Sequence, residues 1–286
     1  MGLDEPTLKG DYMIRLTGSS NPIIKEVRSL KNKSSREEKG LYFVEGCRFV
    51  DEALTQEQAQ ILFTVASDSF VSSKGAEELL NLLAQRVQQC YLVPDNLFRS
   101  ISDTQNPQGI LAVLRQEKLY LQYHRPAKGL IVILDSIKDP GNMGTIIRTA
   151  DAAGCVGVVI TEGCVDVYNP KVLRSTMGSI FHIPVYHGRG IGETMEALKE
   201  SGFSLYVSHL DGAVSIYEAD LSMDIGLIIG SEAEGASIQA VEKADCLVKI
   251  PMIGRAESLN ASIAAAVIIF EAMRQRGLAS KDVLET

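Results

Sequence analysis

No stretch of the chain approaches the roughly 18 uninterrupted apolar residues that a membrane helix requires, and an apolar share of 45% with 22% charged residues is ordinary for a globular protein. No membrane partner is expected. The segment Met1 to Tyr12 carries Asp4, Glu5 and Asp11 and lacks an apolar core. It therefore reads as a floppy tail rather than a secretory signal or a lipidation site, which leaves the cytoplasm as the default compartment. The five cysteines (Cys47, Cys90, Cys155, Cys164, Cys246) are odd in number, scattered and free of any CxxC pair. That usage fits buried free thiols in a reducing compartment. The four histidines (His124, His182, His187, His209) lack the clustering with cysteine or carboxylate that zinc needs, so no metal is expected.

Familiar catalytic signatures are absent too. There is no Walker phosphate loop, no GxSxG elbow, no HExxH and no GxGxxG after a strand; Gly188, Gly190 and Gly192 have the wrong spacing. Positive charge is also scarce, since the net charge is −8, an objection to any nucleic-acid substrate. One local exception stands out. From Arg15 to Lys39 the chain carries Arg15, Lys25, Arg28, Lys31, Lys33, Arg36 and Lys39 against only Glu26, Glu37 and Glu38. On charge alone, a solvated amphipathic helix and an RNA-binding surface both remain open.

A length of 286 residues favours two domains. The first half alternates helical and strand patterns: helices from about Pro22 to Leu30, Arg48 to Leu54 and Ala76 to Gln85, with a short one near Pro94, and strands at Leu41 to Val44, Ile61 to Ala66, Cys90 to Val93 and Ile110 to Leu114. This predicts a compact α/β domain over residues 14–116, with Tyr42 and Phe43 in its core. Arg115 to Lys128, with Tyr120, Tyr123, His124, Arg125 and Pro126, loses the periodicity and reads as a connector. Beyond it, over residues 128–277, the strands become almost wholly apolar (Leu130 to Leu134, Val156 to Ile160, Leu227 to Ile229), as in a parallel sheet covered on both faces. Asn169 and Pro170 open a helix that Gly178 is expected to stop. A last helix from about Ser262 to Arg274 is apolar nearly all round, which predicts burial in the domain or in a subunit interface, hence an oligomer.

Polar and glycine-rich loops follow three of the apolar strands, at the edge where open parallel sheets bind ligands. The first, DSIKDPGNMGTIIRTA from Asp135 to Ala150, reads as a Pro140–Gly141 turn, a helix capped by Asn142, and Arg148 on its second turn. The second runs from Gly230 to Gly235 and projects Glu232. The third, PMIGRAESLNAS from Pro251 to Ser262, delivers Ser258 and Asn260 to the mouth of the final helix. Singly, Arg148 reads equally as an ion-pair partner, Glu232 as a surface carboxylate, and Ser258 or Asn260 as a helix cap. Three such loops can converge on one pocket.

In order and spacing these loops resemble the three motifs of the SpoU (TrmH-like) family of the SPOUT superfamily. The matching residues are Asn142, Gly144, Ile146, Arg148, Thr149 and Ala150; Gly230, Glu232 and Gly235; and Ile250, Pro251, Met252, Ser258, Leu259, Asn260 and Ser262. The resemblance covers about half the chain. More loosely, Glu45, Gly46 and the stretch SDTQNPQGIL from Ser102 to Leu111 are similar to the family's RNA-binding domain. A single departure, Ala261 where many members carry valine, leaves the polar residues intact.

The resemblance implies a C-terminal trefoil-knotted parallel-sheet domain, an exception to the rule against knots, and a homodimer formed through that domain. It also implies methyl transfer from S-adenosylmethionine to a ribose 2′-hydroxyl of ribosomal or transfer RNA, with ribosomal RNA favoured. Gly230, Ser231, Ile250, Met252 and Leu259 would contact the cofactor, largely through backbone groups. Arg148 would act on the attacking ribose, Asn142 and Asn260 would hold the arginine and the nucleotide, Glu232 would fix the loop, and Ser258 would position substrate or backbone. Two alternatives belong to other classes: an RNA-binding protein of the same fold without turnover, and a nucleotide-dependent metabolic enzyme. The basic N-terminal stretch and the missing glycine fingerprint weigh against the latter.

Overall fold

The computed structural model describes residues 12–277, so the expected N-terminal tail, Tyr12 apart, lies outside the described residues. Those residues divide into two compact units. One runs to Glu117 and includes Tyr168–Pro170; the other comprises Lys118–Val167 and the residues from Lys171 onward.

The first unit is built on β1 (Ile14–Arg15), β2 (Leu41–Glu45), β3 (Ile61–Ser67), β4 (Cys90–Val93) and β5 (Ile110–Arg115), in the order β1-β4-β3-β5-β2. Strand β5 is antiparallel to both β2 and β3, and β4 is parallel to β1 and β3. Six helices surround the sheet: α1 (Pro22–Ser29), α2 (Lys33–Lys39), α3 (Cys47–Thr55), α4 (Asp68–Val71), α5 (Glu77–Arg86) and α6 (Asp95–Ile101). Asn21 starts α1, its side chain accepting the Ile23 N–H with Pro22 in the first turn. Ile24 and Val27 of α1 and Phe98 of α6 share a core with Val65, Leu111 and Val113. Tyr42 and Phe43 are buried, as their strand pattern predicts.

Glu45, at the end of β2, accepts hydrogen bonds from Ser102 Oγ (2.6 Å), Asp103 N (2.9 Å) and Thr104 Oγ1 (2.7 Å). The two stretches that carried the looser resemblance are thus one loop cluster. The basic stretch fares differently, because much of its charge is engaged internally. Arg36 is buried and donates to the carbonyls of Leu30 and Lys31. Arg15 forms a two-pronged pair with Asp68, Lys39 pairs with Glu26, and Lys31 donates to the Ser102 carbonyl.

The second unit is an eight-stranded sheet, every neighbour parallel: β6 (Leu119–Tyr120), β7 (Leu130–Leu134), β8 (Gly157–Ile160), β9 (Val185–His187), β10 (Ser204–Ser208), β11 (Val214–Ser215), β12 (Ile225–Ile229) and β13 (Cys246–Lys249). The order is β11-β13-β10-β12-β7-β8-β9-β6. Central strands β7 and β12 are buried along their whole length, which is why they read as unbroken apolar runs. Against one face pack Met195 and Leu198 of α9 (Ile191–Glu200) and Ala240 of α10 (Ile238–Lys243). Two further helices, α7 (Pro140–Ala152) and α11 (Ala261–Gln275), pack on each other.

Local departures from the sequence reading have simple causes. The connector supplies an edge strand, β6, too short to show periodicity but paired with β9. The helix opened by Pro170, α8 (Pro170–Thr176), ends before Gly178, which at φ 102° leads into a turn of 3₁₀ helix over Ser179–Phe181.

Candidate active site

Helix α7 begins at Pro140, not after it. Asp139 is its cap, the carboxylate accepting the Asn142 N–H at 2.8 Å, and Pro140 occupies the first turn. An Asp-Pro pair is a helix start as well as a turn signal, and here the first role wins. Asn142 is therefore inside the first turn, with its side chain free for other work. Its amide Nδ2 donates to Glu232 Oε1 at 2.7 Å, and its Oδ1 accepts from Asn260 Nδ2 at 2.9 Å. Asn260 in turn caps α11: its Oδ1 accepts from Ser262 N at 2.9 Å and Ser262 Oγ at 2.7 Å. The chain Ser262–Asn260–Asn142–Glu232 thus runs through all three motif loops. Each amide donates towards the carboxylate, so the dipoles reinforce one another.

Three anchors hold these loops at the C-terminal edge of the sheet. Asp135, 3% exposed at the end of β7, accepts the Ser237 N–H at 2.8 Å and so fastens the second loop beside the first. Gly230 follows β12, where an added Cβ would lie 2.0 Å from Ala236 N and 2.1 Å from the Gly235 carbonyl carbon. Only glycine allows that closure, which Ser231 and Gly235 complete with paired backbone bonds. Gly144 on α7 is a packing glycine: a Cβ would come within 2.4 Å of Ser175 Cβ and 2.6 Å of the Val172 carbonyl on α8. Ser136, between β7 and α7, has φ 60°, an uncommon conformation for a residue with a side chain.

The sequence reading did not single out Asp135, Ser136 or Asp139 as separate parts of the site, and it passed over the loop after β10. There His209 N donates to Val248 O, and a Cβ on Gly212 would fall 2.7 Å from the Val248 carbonyl carbon. This loop lies between the ends of β12 and β13 in the sheet order, so it borders the Gly230 and Ile250 positions. The apolar run Leu205–Val207, set between Ser204 and Ser208, is the sequence signal for the strand leading to it.

Other site residues stand apart from the hydrogen-bonded chain. Arg148 is on the third turn of α7, exposed, with no hydrogen bond or ion pair among the described residues. Six residues of helix separate it from Asn142, about 120° round the axis, so the two asparagines hold each other and Glu232 rather than the arginine. Ser258 is exposed, as are Met252 and Leu259, and Ile250 is half-buried. Along Pro251–Leu259 no backbone group makes a hydrogen bond among the described residues. That segment can offer its peptide groups and apolar side chains to a ligand with a polar edge and an apolar face. A cavity of about 200 Å³ lined by Gly129, Leu130, Val156 and Arg276 lies at the opposite edge, where β7 begins, and is not part of this site.

The chain has relatives in both sequence and structure. The SpoU rRNA Methylase family model matches residues 129–270, and the MRM3-like substrate binding domain model matches residues 21–112. A 23S rRNA (guanosine(2553)-2′-O)-methyltransferase, RlmP, of Bacillus subtilis is 32% identical over 258 residues, 90% of this chain and 98% of the relative. The AdoMet-bound rRNA methyltransferase of Sinorhizobium meliloti superposes with a TM-score of 0.83 at 31% identity, covering 94% of this chain and all of the other. AviRb of Streptomyces viridochromogenes, a SpoU methyltransferase solved with AdoMet, gives 0.82 at 30% identity over 91% of this chain. On the family model, the full-length likeness and the shared fold, the chain belongs to the SpoU rRNA methylase family.

Proposed function

We propose that this protein transfers a methyl group from S-adenosylmethionine to a ribose 2′-hydroxyl of ribosomal RNA, with residues 14–116 as the RNA-binding domain and 128–277 as the catalytic domain. The observation that carries the reading is the Ser262–Asn260–Asn142–Glu232 chain, which ties three polar loops to one edge of a parallel sheet. Ribosomal rather than transfer RNA is favoured by the substrate of the full-length relative and by the substrate-domain match.

S-adenosylmethionine, when bound, supplies a methyl group made electrophilic by its sulfonium. Gly230, Ser231, Ile250, Met252 and Leu259 hold it, the unpaired peptide groups of Pro251–Leu259 reading its polar edge and Met252 and Leu259 covering its apolar part. A ribose hydroxyl is a poor nucleophile and must be aligned with that methyl as it loses its proton. Arg148 orients the ribose and its phosphate and stabilises the oxyanion charge that develops; its guanidinium stays protonated throughout. Glu232, Asn142 and Asn260 fix the loops against one another, and Ser258 positions the substrate.

The same reading includes a C-terminal trefoil knot, a homodimer through the exposed apolar face of α11, and work in the cytoplasm, where ribosomal RNA is. No helix among the described residues is long and apolar enough to cross a membrane. The test is transfer of labelled methyl from S-adenosylmethionine to total RNA from cells lacking the gene. Label in one RNA species, lost with Arg148→Ala, is the expected result. Cofactor binding without transfer to any RNA would make the protein a non-catalytic RNA binder and overturn the proposal.

A further inference from the structure

The connector contributes more than a link between units. Its strand β6 joins the edge of the eight-stranded sheet with Tyr120 opposite His187. That pairing continues across the sheet as a single row: His187 opposite Ile160, Ile160 opposite Leu134, and Leu134 opposite Ile229. All these strands are parallel, so Tyr120 stands at the same edge as Asp135 and Gly230, the residues that follow Leu134 and Ile229. Three strand spacings, about 14 Å, separate β6 from β7.

Around Tyr120 is a group of rings. Tyr123 meets it edge to face with centroids 6.5 Å apart, and the His187 ring lies 5.9 Å from it. Tyr120 is 43% and Tyr123 76% exposed, an unusual use of two large aromatics within four residues. Burial and the nearby Lys118 hold the His187 imidazole below its ordinary pKa, though Asp166 opposes the shift.

Charge marks the same segment. From Lys118 to Leu134 there is no acidic residue, although the chain as a whole is at −8; Lys118 and Arg125 fall within it, whereas Lys128 pairs with Asp224 at the start of β7. Arg125 is exposed and forms no ion pair among the described residues. Cations interleaved with exposed aromatics are what single-stranded nucleic acid recognises: the cations meet phosphate and the rings meet bases of any sequence.

We infer that Tyr120 and Tyr123, with Arg125, form a stacking platform for unpaired RNA bases flanking the nucleotide to be methylated. The inference rests on the proposed methyl transfer to RNA and extends it to a substrate class, a single-stranded or loop region rather than a duplex. Duplex RNA would present no free base faces to the rings.

The chain contains no tryptophan, which makes a direct test available. In the full-length protein, Tyr123→Trp introduces a single tryptophan whose fluorescence should be quenched by a short mixed-sequence single-stranded RNA and unaffected by the same RNA annealed to its complement. In the methyl-transfer assay on total RNA, Tyr123→Ala should raise KM for RNA about tenfold, the usual scale of one lost stacked base. KM for S-adenosylmethionine should not change, and Tyr123→Phe should restore KM for RNA.

An unchanged KM for RNA in Tyr123→Ala, equal quenching by duplex, or no quenching at all would overturn the platform and leave the tyrosine edge as a contact between proteins. These outcomes are separable from failure of the proposed activity. If the unsubstituted protein transfers no methyl to RNA, that proposal falls, whatever Tyr123→Trp reports.

Discussion

Arg148 presents its donors in a planar fork, and that shape, not charge alone, is what positioning a ribose and its phosphate calls for. Replacement by lysine keeps the charge and loses the fork. Arg148→Lys should therefore lower kcat about 100-fold, the scale of removing an aimed donor from a developing oxyanion, with the melting temperature unchanged because the side chain is exposed and unpaired. A variant retaining most of its turnover would show that a point charge suffices. Of the residues that matter here, the polar ones in the motif loops were legible as candidates, since nothing in a soluble core calls for that concentration of asparagine, serine and carboxylate. Their partners were not. Asn142 looked like a cap because it precedes a helical run, and only the structure shows Asp139 taking that place and freeing the amide for Glu232 and Asn260.

At the scale of elements, two glycines in the motifs work in different ways and should fail differently. Gly144 lets α7 approach α8, so Gly144→Ala forces the helices apart and should cost about 1–3 kcal/mol of stability while leaving affinity for S-adenosylmethionine close to normal. Gly230 closes the loop proposed to hold the cofactor, and its Cβ would meet backbone that cannot yield. Gly230→Ala should weaken cofactor binding at least about tenfold, a loss of roughly 1.4 kcal/mol. Thermal unfolding and cofactor titration of both variants separate the two roles; identical losses in both would contradict the distinction. The sheet was readable from sequence where strands are long and buried, as in β7 and β12, and unreadable where they are two residues long, as in β6, because so short an element has no period and is defined by its partner.

Over the whole molecule, the uncovered side of α11 argues for a second copy. Ile263 and Phe270 are 51% and 49% exposed and lie seven residues apart, two turns along one side of a helix whose other side is core. The apolar wrap of this helix was visible in the sequence; which side remains open was not, since periodicity cannot separate core from interface. Phe270→Glu should convert a dimer to a monomer in sedimentation at micromolar concentration without unfolding it, and sedimentation of the unsubstituted chain as a monomer would contradict the homodimer.

Methylation of the ribose 2′-oxygen has a direct chemical signature. A methylated 2′-oxygen cannot attack the adjacent phosphodiester, so alkaline hydrolysis of RNA treated with the protein and S-adenosylmethionine should show a single protected linkage that is absent without the cofactor. Methyl incorporated into RNA with no protected linkage would place the modification on a base and contradict the account.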